Sequence, residues 1–441
     1  MNRKERMKLS NQRQSFEKKE LALSASPYVY LPMDIPTYVV EITHRDEING
    51  ELLQQAVNRT LTRMPYLADS FTVEKAAVWY AKNPLPMEVG HTASLRRVGG
   101  PETNYHMLDV TWDGNITWFS MFHGFCDGQG VNAFIESVLY HYYCRKDGVE
   151  YEANGVRTDK EVMSDAETFE PLSKAYEVSP DFQMPERREQ PKPYHLPDIV
   201  ATPGGEVQEY GFSIPSEAFM GFVKANGTSP VVALSMLMGE AILKKHPDAD
   251  APIFANIPVS IRRMLGCEET FKNCSSRAVL PLTGTPMDAL PFAARAGALR
   301  GVLKQQMAPD LFRSIYNRIG QMYRQRMMEG NDYWEELRKP AGFMTVCHDT
   351  FYTDYIGRLH ETEYSDQMTD VRFLCSPAAG NTLHINMIEH HRRFRIDCLA
   401  CSDVTPLMDA LEEAFRAYDL PAQRIGEQCF TLALTAWREG M

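Results

Sequence analysis

The amino-acid sequence predicts an α/β protein of two lobes, and three observations lead to that expectation. Its 441 residues are 44% apolar and 24% charged, a soluble globular composition long enough to bury substantial cores. Segments with strand character and segments with helical periodicity alternate in both halves. A polar stretch rich in proline and glycine, from about 147 to 205, lies between those halves and holds little that could build a core.

The elements follow in order. Residues 1–25 are polar and charged and read as a tail or frayed helix. Thr37–Thr43 is rich in β-branched and aromatic types and reads as a strand. A helix starts near Asp46, with Ile48, Leu52, Leu53, Ala56, Val57 and Leu61 at helical spacing, and Pro65 stops it. Two strands, Met107–Trp112 and Ile116–Phe122, flank the turn Asp113-Gly114-Asn115. An amphipathic helix then carries Val131, Phe134, Ile135, Val138, Leu139 and Tyr142 on one face. The second half restarts with a helix from Pro230 to about Lys245 and a strand over Pro252–Val259. Helices near 288–307 and 309–329, strands near 371–376, 382–389 and 394–400, and a helix near 406–418 complete it. The expected division is a tail over 1–25, an N-terminal lobe over 26–150, a connection over 151–205 and a C-terminal lobe over 206–441.

Charge and cysteine usage narrow the function. With 46 Lys+Arg against 58 Asp+Glu, the net charge is −12, so no basic surplus exists to neutralise nucleic-acid phosphates or anionic lipid. Nine cysteines, an odd number without a regular framework, fit reduced thiols in the cytoplasm. No apolar run of about 18 residues is present, so no spanning helix is expected.

The stretch most informative about chemistry is Phe122-His123-Gly124-Phe125-Cys126-Asp127-Gly128. A strand ends, a glycine-containing turn holds one His and one Asp, and a helix begins. Such a junction presents a side chain rigidly beside helix N-terminal N–H groups, which favour developing negative charge. A histidine there suits general-base work near neutral pH. Asp127 either returns toward the imidazole or meets a distant cation.

This segment resembles the H-x-x-x-D-G motif of the superfamily containing chloramphenicol acetyltransferase, plant acyl-CoA-dependent acyltransferases, alcohol acetyltransferases and peptide-synthetase condensation domains. Other stretches agree and occur in the family's order. Arg63-Met-Pro-Tyr-Leu-Ala-Asp-Ser-Phe71 resembles an early R-x-P-x-L-R-x-x-F stretch. Asn256-Ile-Pro-Val-Ser-Ile-Arg-Arg263, followed by Leu265-Gly266 and Phe271-Lys-Asn-Cys274, is similar to the P-V-N-L-R-R … G-N strand and loop. Tyr355-Ile-Gly-Arg-Leu359 resembles the short S-N-L-G segment. The resemblance spans roughly residues 37–400.

It implies two chloramphenicol acetyltransferase-like lobes, each a mixed β-sheet flanked by helices, with an active-site tunnel between them. His123 is then the general base for an acceptor hydroxyl or amine attacking an acyl thioester. Gly128 N–H is one oxyanion donor, and Asp127 pairs with Arg262, or with Arg263 as fallback. No cofactor stays bound; acyl-CoA or an acyl carrier thioester is the co-substrate, and a small molecule is the acceptor. The chain departs from condensation domains in carrying Phe122 where they have a first histidine. It also lacks the D-F-G-W-G segment of the plant enzymes, and Ser260 stands where relatives often have Asp or Asn.

Other readings compete. A carrier-protein-dependent condensation or release enzyme, and a non-catalytic two-lobed scaffold, remain alternatives. Cys126 is too near His123 in the chain for easy attack geometry, and small buried cysteines are common. Cys398-Leu-Ala-Cys401 after His390-His391 hints at zinc, but positions i and i+3 of a strand face opposite ways, so no metal is expected. Arg324, Arg326, Lys244 and Lys245 suit CoA phosphates, or more simply solvated helix faces.

Overall fold

The computed structural model describes residues 13–439 except 14, 33, 36, 187–190, 198, 200–205, 340–348 and 376–382. Its framework is two large sheets. The first has five strands in the order β12 (Met368–Leu374), β2 (Tyr38–His44), β7 (Ile116–Met121), β6 (Leu108–Asp113) and β5 (Gly90–His91). Against it pack α1 (Gly50–Arg63) and α2 (Gly128–Asp147). The second has seven strands, in the order β10 (Ser275–Pro281), β9 (Phe254–Ser260), β11 (Phe351–Gly357), β13 (His384–His390), β14 (Arg393–Ala400), β8 (Glu206–Pro215) and β15 (Gln423–Thr431). The remaining helices are α3 (Ser216–Ala225), α4 (Pro230–Lys245), α5 (Phe292–Gln306), α6 (Pro309–Glu329) and α7 (Thr405–Ala417). Both sheets are mixed: β11 runs parallel to β9 and β13, and β5 runs parallel to β6, while their other neighbours pair antiparallel.

Local chemistry accounts for the element ends. Asn49 caps α1 by accepting from the Glu51 and Leu52 N–H groups, and Pro65 follows its last turn. Asp127 caps α2 at its start, and Gly148 at φ 65° closes it in the left-handed region that glycine tolerates. No helix among the described residues is long and apolar enough to cross a membrane.

The structure corrects the sequence reading in three places. Glu17–Leu21 is a strand, β1, not tail or helix; with β3 (Ser70–Glu74) and β4 (Ala77–Lys82) it forms a third sheet. Its charged residues sit on an exposed edge, and Lys19 pairs with Asp69 at 2.7 Å, so no apolar alternation announced it. The connection also contributes to the interior. Glu167 accepts from Arg63 and Tyr66, Glu170 accepts from Ser24, and Leu172 joins the N-terminal core.

The third correction concerns the lobes. β12 leaves the C-terminal half and extends the N-terminal sheet beside β2. Its Val371 and Phe373 are buried, and Arg372 between them pairs with Glu41 on β2 and, at 2.6 Å, with Glu209 on β8. One guanidinium thus pairs with a carboxylate from each sheet, which ties the two together. The C-terminal segment returns as well: Ala436 N–H donates to Val98 O, and the buried Trp437 ring packs on Phe71 and Phe122.

Candidate active site

The junction between β7 and α2 forms the centre of the site. Phe122 is fully buried and its N–H donates to Met107 O, while Phe125 N–H closes a turn onto Phe122 O. Between them His123 projects into a cavity of about 770 Å³ lined by residues of both halves. Its ring is held by Tyr28 (centroids 4.8 Å apart) and, edge-on, by Tyr38 (4.4 Å).

His123 Nδ1 lies 3.2 Å from Cys126 O. Cys126 O only accepts and so selects the tautomer protonated at Nδ1, with the lone pair on Nε2. Asn273 Nδ2, also 3.2 Å from Nδ1, would donate to the other tautomer, but that amide already donates to His123 O at the shorter distance. Nε2 has no hydrogen-bond partner among the described residues, and the ring lines the cavity. Asn273 Nδ2 donates to His123 O at 2.6 Å, fixing the backbone from the opposite half. Burial lowers the imidazole pKa below its usual value, against the opposing pull of Asp127, so the ring is neutral at neutral pH.

Asp127 turns away from the imidazole. Arg262, just after β9, grips it bidentately, Nη1 to Oδ2 and Nη2 to Oδ1, both at 2.6 Å. The same carboxylate accepts from Gly130 N–H at 3.1 Å and Cys274 N–H at 2.8 Å. Arg262 spends its other donors on Thr270 O and Lys272 O, and both partners are about 95% buried. Burial opposes its charge, but Asp127 outweighs burial and raises the Arg262 pKa. This buried fork fastens the α2 start to the loop that carries Asn273.

Gly128 opens α2 and lines the cavity, and its N–H has no acceptor among the described residues. Gly130, two residues on, meets the other half directly. A Cβ there would stand 2.0 Å from Phe271 O. Alanine improves intrinsic helix propensity by up to about 1 kcal/mol, but a backbone clash of that depth outweighs it. Gly130→Ala is therefore expected to lower the melting temperature and acyl-transfer activity together; a higher melting temperature would contradict the close approach.

The remaining sequence candidates lie elsewhere. Cys126 is buried, its Sγ faces Met121 Sδ at 3.7 Å, and burial pushes its thiol pKa well up. Cys398 is buried in β14 while Cys401 lies beyond its end, and His390 and His391 both reach Met368 O. Arg326 pairs with Glu336, Arg324 with Ser173 O, and Lys244 with Glu413, all away from the cavity. Arg277 and Arg318 line the cavity instead.

Sequence reasoning missed Tyr28, Tyr38 and Asp354. Asp354 precedes the segment quoted for its likeness to S-N-L-G, but nothing in its spacing marked it. It lies on β11 among residues that face the cavity from adjacent strands: Asn256 on β9, Tyr352 on β11, and His384 and Asn386 on β13.

No protein-family model matches the chain, and no curated protein matches it in sequence. Solved structures do match. TRI101 of F. graminearum, complexed with coenzyme A and T-2 mycotoxin, is 12% identical with a TM-score of 0.60, covering 93% of this chain and 100% of that one. Polyketide synthase associated protein 5 from Mycobacterium tuberculosis is 13% identical with a TM-score of 0.59, over 90% and 96% of the two chains. The first condensation domain of the calcium-dependent antibiotic synthetase, in complex with a substrate analogue, is 14% identical with a TM-score of 0.61, over 91% and 95%. The chain therefore has the two-lobed chloramphenicol acetyltransferase-like fold.

Proposed function

We propose that this protein transfers an acyl group from a thioester, acyl-CoA foremost, to a hydroxyl or amine of a small-molecule acceptor in the cytoplasm, with His123 as general base. The observation that carries this reading is a neutral imidazole whose unpartnered Nε2 faces a cavity between the two halves of an acyltransferase-type fold. Coenzyme A in the TRI101 structure supports acyl-CoA as the donor.

Nε2 takes the acceptor proton as the acceptor attacks the thioester carbonyl. Gly128 N–H, at the positive end of the twenty-residue helix α2, stabilises the oxyanion that forms. When the tetrahedral intermediate collapses, His123 returns the proton to the departing thiolate. No covalent acyl-enzyme is required. Phe312, Ile315 and Ile319 of α6 supply an apolar wall for the acyl chain. Asp127 and Arg262 act as positioning residues by holding the turn that presents His123.

The test follows free thiol released from acyl-CoA in the presence of alcohols and amines. Acceptor-dependent release is expected. The likeness to a condensation domain favours a second donor class, carrier-bound thioesters, and an acyl carrier protein in the same assay separates the two. Silence with both donors overturns the reading.

A pH dependence follows for alcohol acceptors. The base form of His123 is neutral, and its lowered pKa keeps that form present further into acid. The rate kcat/KM is expected to fall only as pH drops through a midpoint below 6.5. A midpoint above 6.5 would count against His123 as the base.

A further inference from the structure

Asp354 is a carboxyl group without a counter-ion in the same cavity as His123. Strand alternation turns Phe351 and Thr353 into the core and leaves Tyr352 and Asp354 facing the cavity. No Lys or Arg pairs with Asp354 among the described residues, and its one hydrogen bond comes from the Tyr355 backbone. Arg262, the buried cation of this cavity, is consumed by Asp127. Around Asp354 lie the phenols of Tyr28 and Tyr38, which feel its charge and also hold the His123 ring. A carboxyl among aromatic rings, lacking its own cation, is a receptor for an ammonium group, whose charge favours the ionised form.

We propose that the acceptor is a primary amine, and that Asp354 binds its ammonium form and removes the first of the two protons it must lose. This rests on the acyl-transfer reading above and names its acceptor class. An alcohol needs one base, because it loses one proton as it attacks. An ammonium ion needs two. The first step is R–NH3⁺ + Asp354–COO⁻ → R–NH2 + Asp354–COOH. The neutral amine then attacks the thioester, His123 takes the second proton, and that proton leaves with the thiol. Asp354 returns its own proton to solvent.

The electrostatics suit the task. Burial, aided by the negative charge of Asp127, pushes the Asp354 pKa up to about 7. His123, in the same cavity, has its pKa lowered by burial. Burial holds the Tyr28, Tyr38 and Cys375 protons on, pushes His384 down to about 4, and Asp127 is locked to Arg262. Tyr355, its neighbour in the chain, is likewise kept as a phenol.

The test uses acetyl-CoA with a matched acceptor pair, 2-phenylethylamine and 2-phenylethanol. The parent protein is expected to prefer the amine, with an acid limb near pH 7 that the alcohol does not show. Asp354→Asn is expected to lower the amine-to-alcohol ratio of kcat/KM about 100-fold, a general-base effect. Its amine rate should then rise only toward the amine's own pKa, about 10.4 for an alkyl ammonium. A binding readout accompanies it: the amine should raise the parent's melting temperature more than the alcohol does, and Asp354→Asn should erase the difference. An unchanged ratio in the variant, or alcohol preference in the parent, overturns the assignment while leaving acyl transfer standing. Transfer to neither acceptor, with no amine-specific stabilisation, overturns the assignment of Asp354 on the binding readout alone.

Discussion

His123→Ala is expected to cut acyl-transfer turnover by about 10²–10⁴ while the chain stays folded, the usual range for losing a general base. The ring lines an existing cavity, so its removal enlarges that space, and Asn273 Nδ2, near Nδ1 in the parent, keeps its bond to the backbone carbonyl of residue 123. Cys126 O loses a partner but can reach water from the cavity. The melting temperature should therefore move by only a few degrees, whereas the chemistry loses the atom that receives the acceptor proton. Turnover within tenfold of the parent would remove His123 from the reaction. Retention of biological effect in a folded, inactive variant would favour the scaffold reading. A rescue by added imidazole, restoring part of the rate in His123→Ala alone, would separate loss of the base from loss of shape.

How much of this was legible in the sequence depended on whether the signal was local. Strand, turn and helix from Ile116 to Asp147 are contiguous, with capping, turn and periodicity all on the page, so their placement at a cavity edge could be anticipated. The pairing of β12 with β2 joins residues more than three hundred positions apart, and no pattern within either strand encodes it. Arg372 explains the choice of partner only once Glu41 and Glu209 are brought near it. Edge strands β1 and β15 are exposed along most of their length, so polar side chains sit on both faces and alternation fails to announce them. Within the site, His123 was conspicuous because glycines and a helix start surround it. Tyr28, Tyr38 and Asp354 come from separate segments whose only link is the shared cavity. Residues that act by convergence leave no spacing to read.

The Asp127–Arg262 pair supplies the largest expected effect on stability. Asp127→Ala leaves the guanidinium buried without a counter-ion, and strands the N–H groups of Gly130 and Cys274. Breaking a buried ion pair from one side typically costs about 3–5 kcal/mol, because the orphaned charge keeps its desolvation penalty and loses its attraction. Arg262→Met makes the reciprocal break and should cost a similar amount. The double variant Asp127→Ala/Arg262→Met removes both charges and should be more stable than the sum of the singles predicts, by several kcal/mol of coupling. Asp127→Asn keeps an oxygen for the helix cap but loses the charge, so it should fall between parent and alanine variant. Denaturant midpoints followed by tryptophan fluorescence read all four. The effect should also reach the chemistry: Cys274, whose N–H binds Asp127, is the next residue after Asn273, which grips the His123 carbonyl. Loss of the fork therefore loosens the strap on His123, and kcat should fall in both single variants, with the His123 pH midpoint dropping further in Asp127→Ala, which loses the carboxylate that opposes burial. Single variants costing under about 1 kcal/mol would show the fork to be dispensable for the fold.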